Sequence, residues 1–374
     1  MNAQPTPSKR IHLHGCYHTG NFGDLLLLDL LARHVNRTHH QRPTDLFPPV
    51  EDHHHFGVET VDIGKGPRTA FSTDVAVLGG GGYLVASESK SAIRRLLRYS
   101  VPAHIWQLRG VPYAVVGVGA GPSLAGAAPR RIRRILKGAT AICPRDQESA
   151  DLLASIGVDR DRMEVTADIV MSLTPDQIPA GIDDATDEQV QRESDRKRIA
   201  MHLPLRGSHP DAYQRILELV GDELRGRDDV EVYWLFDHGF DGNDDTIRQF
   251  HNEHHIPGGK IIAERHIWKF VELLRRFNMV ITSKLHVGIV SWAMGTPTCG
   301  LSAHGKTRRF YRQIGRLDFQ QNLDEDLDKV RTWVRMLLDD DPQLASEDVD
   351  ARVELPRLAR RNFEVADEVI RSVG

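Results

Sequence analysis

The residues best suited to chemistry in this chain are cations and glycines placed where strands should end. In "ITSKLHVG" (281–288), Ser283 can cap a helix, and Lys284 and His286 fall in the turn that leads into it. "LPLRGSH" (203–209) puts Arg206 after another strand, with His209 nearby. "LSAHGKTRRF" (301–310) brings His304, Lys306, Arg308 and Arg309 after a third. Positive charge gathered at strand ends, rather than spread over helix faces, points to an anion site; a solvated basic face is the ordinary alternative. "CPRDQES" (143–149) adds Arg145, whose planar fork could hold an anion or could pair with Asp146 on the surface.

The glycine-rich loops point to a different partner. "GNFGD" (20–24) reads as a turn between a strand and a leucine-rich helix, but its spacing is not that of a dinucleotide fingerprint. Backbone N–H groups and a helix N-terminus favour anions or sugar oxygens there. Asn21 can donate and accept. Asp24 either caps the helix or takes part in chemistry, and spacing leaves both readings open. "GGGG" (79–82) has Gly80 and Gly81 at its centre. Each glycine costs backbone entropy, so the run reads as a loop lining a ligand site and not as a packing device. "GVGAGP" (117–122) makes a third glycine-rich strand end in the same half.

Alternating strands and helices must position these residues. In the first half, "IHLHG" (11–15), "DVAVLGGGGYL" (74–84), "VPYAVVGVGAG" (111–121), "TAICPRD" (140–146) and "MEVTADIV" (163–170) read as strands separated by amphipathic helices. A polar stretch without a core stripe follows, and the alternation restarts at "RIAMHLPL" (198–205). The expected architecture is α/β: two Rossmann-like domains facing across a cleft, each a parallel sheet flanked by helices. Residues 1–175 form the first domain, 176–197 a linker, 198–322 the second domain and 323–374 a charged helical tail. Ligands in such sheets bind at the carboxyl ends of the strands.

Bulk properties narrow the partners. The chain has 374 residues, 40% hydrophobic, enough for two cores. A net charge of −4 gives no reason to expect nucleic acid. "RRIRR" (130–134) could dock to a membrane or an anionic polymer, although a solvated helix face is the ordinary reading, and no sharp hydrophobic face is evident beside it. Cys16, Cys143 and Cys299 have neither metal-ligand spacing nor the makings of a disulfide framework. The histidine runs at 39–40, 53–55 and 254–255 lack partners at ligand spacing, so no metal is expected. Without a signal-like N-terminus or a stretch of ~20 apolar residues, the expected location is cytoplasmic.

Taken in order, "GNFGD" (20–24), "GGGGYL" (79–84), "VGVGAGP" (116–122), "RDQESADLLASIGV" (145–158), "TADIV" (166–170), "SKLHVGIVSWAMGTP" (283–297) and "HGKTRRF" (304–310) resemble the polysaccharide pyruvyl transferases. The resemblance implies a fold similar to the GT-B glycosyltransferases. It also implies transfer of pyruvate from phosphoenolpyruvate to a sugar, with a cyclic ketal formed and phosphate released. His286 and Arg206 would help to hold phosphoenolpyruvate, and the "GNFGD" and "GGGG" loops would lie on the acceptor side. The family often has arginine two residues before the motif histidine; Lys284 stands there in this chain and supplies a point charge without a bidentate fork. Such chemistry needs an acid, a base and neutralisation of the leaving phosphate. His286 is the candidate acid, Asp24 the candidate base, and Arg206, Lys284 and Lys306 the phosphate-binding set, with Ser283, His304 and Arg145 beside them. Asn21, Gly80 and Gly81 would face the acceptor. No cofactor is expected beyond phosphoenolpyruvate as co-substrate, and the saccharide acceptor is free or carrier-linked. Two rivals remain: a glycosyltransferase of the same fold using a nucleotide sugar, and a non-catalytic family member.

Overall fold

The structure, a computed structural model, describes residues 9–47, 53–85, 90–121, 128–191, 194–204, 209–237, 244–256, 258–303 and 305–373; of 53–54, 90–94, 244 and 258 it describes the backbone alone. The chain divides into two compact units. Unit 1 is Met1–Ser172 with Leu355–Gly374, and unit 2 is Leu173–Glu354.

Unit 1 is built on a parallel sheet of β1 (Ile11–His14), β2 (Thr44–Asp45), β3 (Asp62–Ile63), β4 (Val75–Leu78), β5 (Gly81–Leu84), β6 (Tyr113–Ala120) and β7 (Ala141–Pro144). Its order runs β3-β2-β1-β4-β6, with β7 also on β6. Around it lie α1 (Phe22–His39), α2 (Pro67–Ala70), α3 (Lys90–Arg109), α4 (Ala128–Lys137) and α5 (Gln147–Ser155). The central strands are buried along their whole length, as strands covered by helices on both faces must be. Leu25, Leu26, Leu27, Leu28, Leu30 and Leu31 of α1 are all buried, which explains a helix that reads as leucine on nearly every side.

Two segments depart from the sequence reading. "DVAVLGGGGYL" is two strands, β4 and β5. The first pairs with the start of β6 and the second with its end, so β5 prolongs β4 along the same edge. Helix packing causes the break. A Cβ on Gly79 would lie 2.1 Å from Tyr17 Oη and 2.4 Å from Leu31 Cδ1, and one on Gly80 3.1 Å from Leu27 Cδ2. Gly79 and Gly80 therefore do serve packing, contrary to the expectation, because α1 and Tyr17 press directly on the backbone. "MEVTADIV" joins β7 by one bridge, Ile142 to Met163, and then turns into a 3-10 helix, Ile169–Ser172.

Unit 2 begins with α6 (Ile182–Asp187), inside the segment read from sequence as a linker. Asp183 and Asp187 of α6 pair with Arg276, whose side chain is buried. That pairing explains why a polar stretch folds here. The sheet follows: β8 (Lys197–His202), β9 (Val230–Phe236), β10 (Gly258–Ala263), β11 (Met279–Thr282), β12 (Thr298–Leu301) and β13 (Gln320–Gln321), all parallel, in the order β10-β9-β8-β11-β12-β13. The helices are α7 (Pro210–Leu224), α8 (Asp244–His254), α9 (Ile267–Leu274), α10 (Leu285–Ala293), α11 (Gly305–Gln313) and α12 (Lys329–Leu338). Renumbered from one, the strand order is 3-2-1-4-5-6, the doubly wound order of a Rossmann fold.

The final helix, α13 (Val349–Arg371), shows that residues 323–374 are not one tail. From Leu355 onward the chain belongs to unit 1. Asn362, fully buried, donates to the Ala167 carbonyl at 2.9 Å and accepts from Thr166 Oγ1 at 3.0 Å. His34 and His39 of α1 bond to Asp367 at 3.0 and 2.8 Å. No described helix is long and apolar enough to cross a membrane.

Two histidines of β1 are buried neutral. Burial pushes His12 down to about 4 and His14 to about 3. Their usual value is near 6.5, so the unfolded chain binds protons below that pH that the native state cannot. Stability is therefore complete above pH ~6.5 and falls as pH drops. Each histidine should cost about 2 kcal/mol at pH 5. Urea midpoints measured from pH 7.5 to pH 5 should fall, and a flat profile would show that these groups are not buried neutral.

Candidate functional site

Each sheet has one place where the strand order reverses: between β1 and β4 in unit 1, and between β8 and β11 in unit 2. The loops leaving neighbouring strands diverge there and open a crevice at the carboxyl ends. Most of the candidate residues follow strands at or beside these two points.

In unit 1 the "GNFGD" turn follows β1. Asn21, in extended conformation, is the N-cap of α1, and its Oδ1 accepts the Gly23 N–H at 3.1 Å. Asn21 has thus taken the capping role that Asp24 could have filled. Asp24 lies in the first turn of α1, half-buried, and its carboxylate accepts from Thr19 Oγ1 at 3.5 Å. A Cβ on Gly81 would lie 3.3 Å from Asp24 Oδ1. Gly81 has φ +119°, a conformation that side-chain-bearing residues rarely adopt. The first and second glycine loops therefore converge on the Asp24 carboxylate. Gly80 is buried under Leu27.

The same corner holds a residue that the sequence reading passed over. Cys16 hydrogen-bonds with Asp24 and Tyr99, and its thiol is pushed up to about 12, first by burial and then by the Asp24 charge. It is a free thiol, as are the buried Cys143 and Cys299. Its only signal in the sequence was its place two residues beyond β1.

Arg145 belongs to a different arrangement. Its Nη1 donates to Asp168 at 2.9 Å, and both side chains are buried. Asp146, the partner expected on the surface, caps α5 by accepting the Ser149 N–H at 2.6 Å and lies 3.7 Å from Arg145. The guanidinium packs on Gly119, where a Cβ would come within 2.7 Å of it. Arg145 is a buried structural ion pair that props the end of β6, which explains the glycine there.

In unit 2 the reversal point is polar and connected. Lys284, not Ser283, is the N-cap residue of α10, and its N–H donates to Thr282 Oγ1 at 3.0 Å. Its Nζ donates to both oxygens of Asp237, at 2.6 and 2.9 Å. Asp237 follows β9 and is buried, while the Lys284 side chain is 34% exposed. His202, the last residue of β8, is buried beside them. Its Nε2 lies 3.3 Å from Asp237 and its Nδ1 3.1 Å from Thr282 Oγ1. Asp237 and His202 were missed because a strand-terminal Asp or His carries no motif by itself. Ser283 engages Tyr213 of α7. His286, half-buried, sits in the first turn of α10, and Lys306, exposed, in the first turn of α11. Arg206 and His304 lie outside the described residues.

A family model described as polysaccharide pyruvyl transferase matches residues 21–305. The chain belongs to the polysaccharide pyruvyl transferase family. Solved structures similar to this family member share its GT-B-like fold. UDP-GlcNAc 2-epimerase from Neisseria meningitidis, bound to UDP-GlcNAc, matches with TM-score 0.65 and 11% identity over 98% of this chain and 100% of the other. Anabaena HepE in complex with UDP-glucose matches with TM-score 0.57 and 13% identity over 97% and 99%. The Methanocaldococcus jannaschii UDP-GlcNAc 2-epimerase, in complex with UDP-GlcNAc and UDP, matches with TM-score 0.56 and 11% identity over 96% and 100%. At such identities the likeness is one of fold. A search of curated proteins finds no match.

Two predictions separate structural from chemical roles in this pyruvyl transferase family member. Arg145→Ala leaves Asp168 buried without its guanidinium, so it should lower unfolding free energy by about 3 kcal/mol in urea titration. An unchanged midpoint would return Arg145 to the ligand-binding set. Asp24→Asn removes the charge that raises the Cys16 thiol. Alkylation of Cys16 by iodoacetamide at pH 8.5 should be slow in the parent and faster in the variant. Equal rates would mean that the Asp24 charge does not govern the reactivity of this thiol.

Proposed function

We propose that this protein transfers pyruvate from phosphoenolpyruvate to a saccharide acceptor, forming a cyclic ketal and releasing phosphate. The observation that carries the reading is the Lys284–Asp237 pair at the N-terminus of α10, in a chain of this family. Lys284 is held there on Asp237, and His286 sits in the first turn of the next helix. Phosphoenolpyruvate carries a phosphate and a carboxylate, and a helix N-terminus with the Lys284 ammonium beside it suits such an anion. Asp237 holds the Lys284 ammonium in place, which limits the entropy lost when the anion binds. Arg206 follows β8 in sequence, and Lys306 follows β12.

In this reading, His286 delivers a proton to the methylene carbon of the donor. The positive end of α10 favours the phosphate beside it. One sugar hydroxyl adds to the oxocarbenium-like carbon, giving up its proton to Asp24. Phosphate then leaves with the C–O bonding pair, and a second hydroxyl closes the ring, its proton passing to the departing phosphate. The sum is phosphoenolpyruvate plus a diol giving a ketal plus phosphate. The "GNFGD" turn and Gly81, gathered around Asp24, serve the acceptor.

The rival reading is a nucleotide-sugar donor. It has support in the fold neighbours that hold UDP-GlcNAc or UDP-glucose. Ligand binding raises the melting temperature by mass action, so the two donors can be compared directly. Phosphoenolpyruvate should stabilise the protein and UDP-glucose should not; the opposite result would favour the nucleotide sugar. His286→Ala should keep the fold and lose about 10²–10⁴-fold in kcat, the range of a general acid. Full turnover in that variant would remove His286 from the mechanism.

A further inference from the structure

Helix α4 presents Arg130, Arg133, Arg134 and Lys137 to solvent, and all four are exposed. Their spacing, i, i+3, i+4 and i+7, puts them on one face, opposite the buried Ala128, Ile132, Ile135 and Leu136. A cavity of about 460 Å³ lies along this stripe, lined also by Arg162 and Asp159. Arg162 bonds to the carbonyls of Lys137 and Ala139 that end α4.

Helix α3 lies beside α4. Gln107 of α3 donates to the Arg134 carbonyl at 2.8 Å. Leu96, Tyr99, Ala103 and Trp106 of α3 share one core cluster with Ile132, Ile135 and Leu136 of α4. The two helices thus pack on the same core, and their outer faces look the same way. The outer face of α3 carries three exposed apolar side chains, with the exposed His104 among them. Leu97 is 38% exposed, Val101 41% and Leu108 75%. At i, i+4 and i+11 these three fall within about 40° of one another around the helix. Phe71, just beyond α2, is a further exposed apolar side chain at 57%, and α2 packs on α3.

An apolar helical stripe beside a parallel cationic one fits one kind of partner, a surface with anionic headgroups above an acyl interior. A second copy of this chain would bring like charges together. A soluble polyanion would have no use for leucines this exposed. We propose that the α3–α4 face of unit 1 docks the protein on anionic lipid bilayers, with Leu97, Val101 and Leu108 entering the interface and Arg130, Arg133, Arg134 and Lys137 on the phosphates. Lys137 ends α4 at the amino-terminal edge of the sheet, whereas Leu97 lies two residues before Tyr99, which bonds to Cys16 beside Asp24. The test of docking needs no substrate.

The test is co-sedimentation of the full chain with vesicles of phosphatidylcholine, alone or mixed with phosphatidylglycerol. The protein should sediment with the mixed vesicles and stay in solution with phosphatidylcholine alone. Arg130→Gln, Arg133→Gln and Arg134→Gln together should weaken binding about a hundredfold. Leu97→Ser, Val101→Ser and Leu108→Ser together should also abolish sedimentation. Circular dichroism should show both variants folded, because every altered side chain is exposed. No sedimentation of the parent would overturn the proposal. So would full binding by the folded serine variant, which would indicate charge attraction alone. Light scattering that gives a dimer in the parent and a monomer in the serine variant would assign the stripe to a second copy instead.

Discussion

The whole arrangement depends on the reversal of strand order at the centre of each parallel sheet. Right-handed crossovers leave only one way to wind helices onto both faces, and the winding changes direction once. In unit 1 this happens beside β1 and β4, in unit 2 beside β8 and β11. Neighbouring chains part company there, and side chains need not fill the space. The glycine loops and the Lys284–Asp237–His202 cluster stand at or beside these points, and the sheets supply the rigidity that holds them.

Charge is handled differently at the two points. In unit 2 a buried carboxylate, Asp237, carries two donors, and the Lys284 ammonium remains partly exposed above it. The cation is fixed from below and open from above, which suits an anion that must bind and leave. In unit 1 the Asp24 carboxylate lies against the Thr19 hydroxyl, the Cys16 thiol and the Gly81 backbone. Arg145 of the same unit pairs with the buried Asp168.

Much of this was legible in the sequence because it is local. Alternating apolar runs mark a parallel α/β fold, and residues at strand ends are found by counting along those runs. Less was legible where the cause is distant. The break between β4 and β5 comes from Tyr17 and Leu31 pressing on Gly79, some fifty residues apart from it in sequence or more. Asp237 meets both Lys284 and His202 only when three strands align. Polar residues 182–187 read as a linker because their partner, Arg276, is remote. The apolar stripe of α3 was hidden for another reason: Leu97, Val101 and Leu108 look like core positions, and only folding shows which leucines of that helix face inward.

The central claim is that pyruvate leaves phosphoenolpyruvate for two hydroxyls of one sugar. The most direct measurement incubates the protein with phosphoenolpyruvate and a panel of glycans, following products by mass spectrometry and phosphate by release. Pyruvyl transfer predicts an acceptor heavier by one pyruvate less one water, with one phosphate released per ketal formed. A glycan extended by a hexose from a nucleotide sugar, with phosphoenolpyruvate left intact, would contradict it.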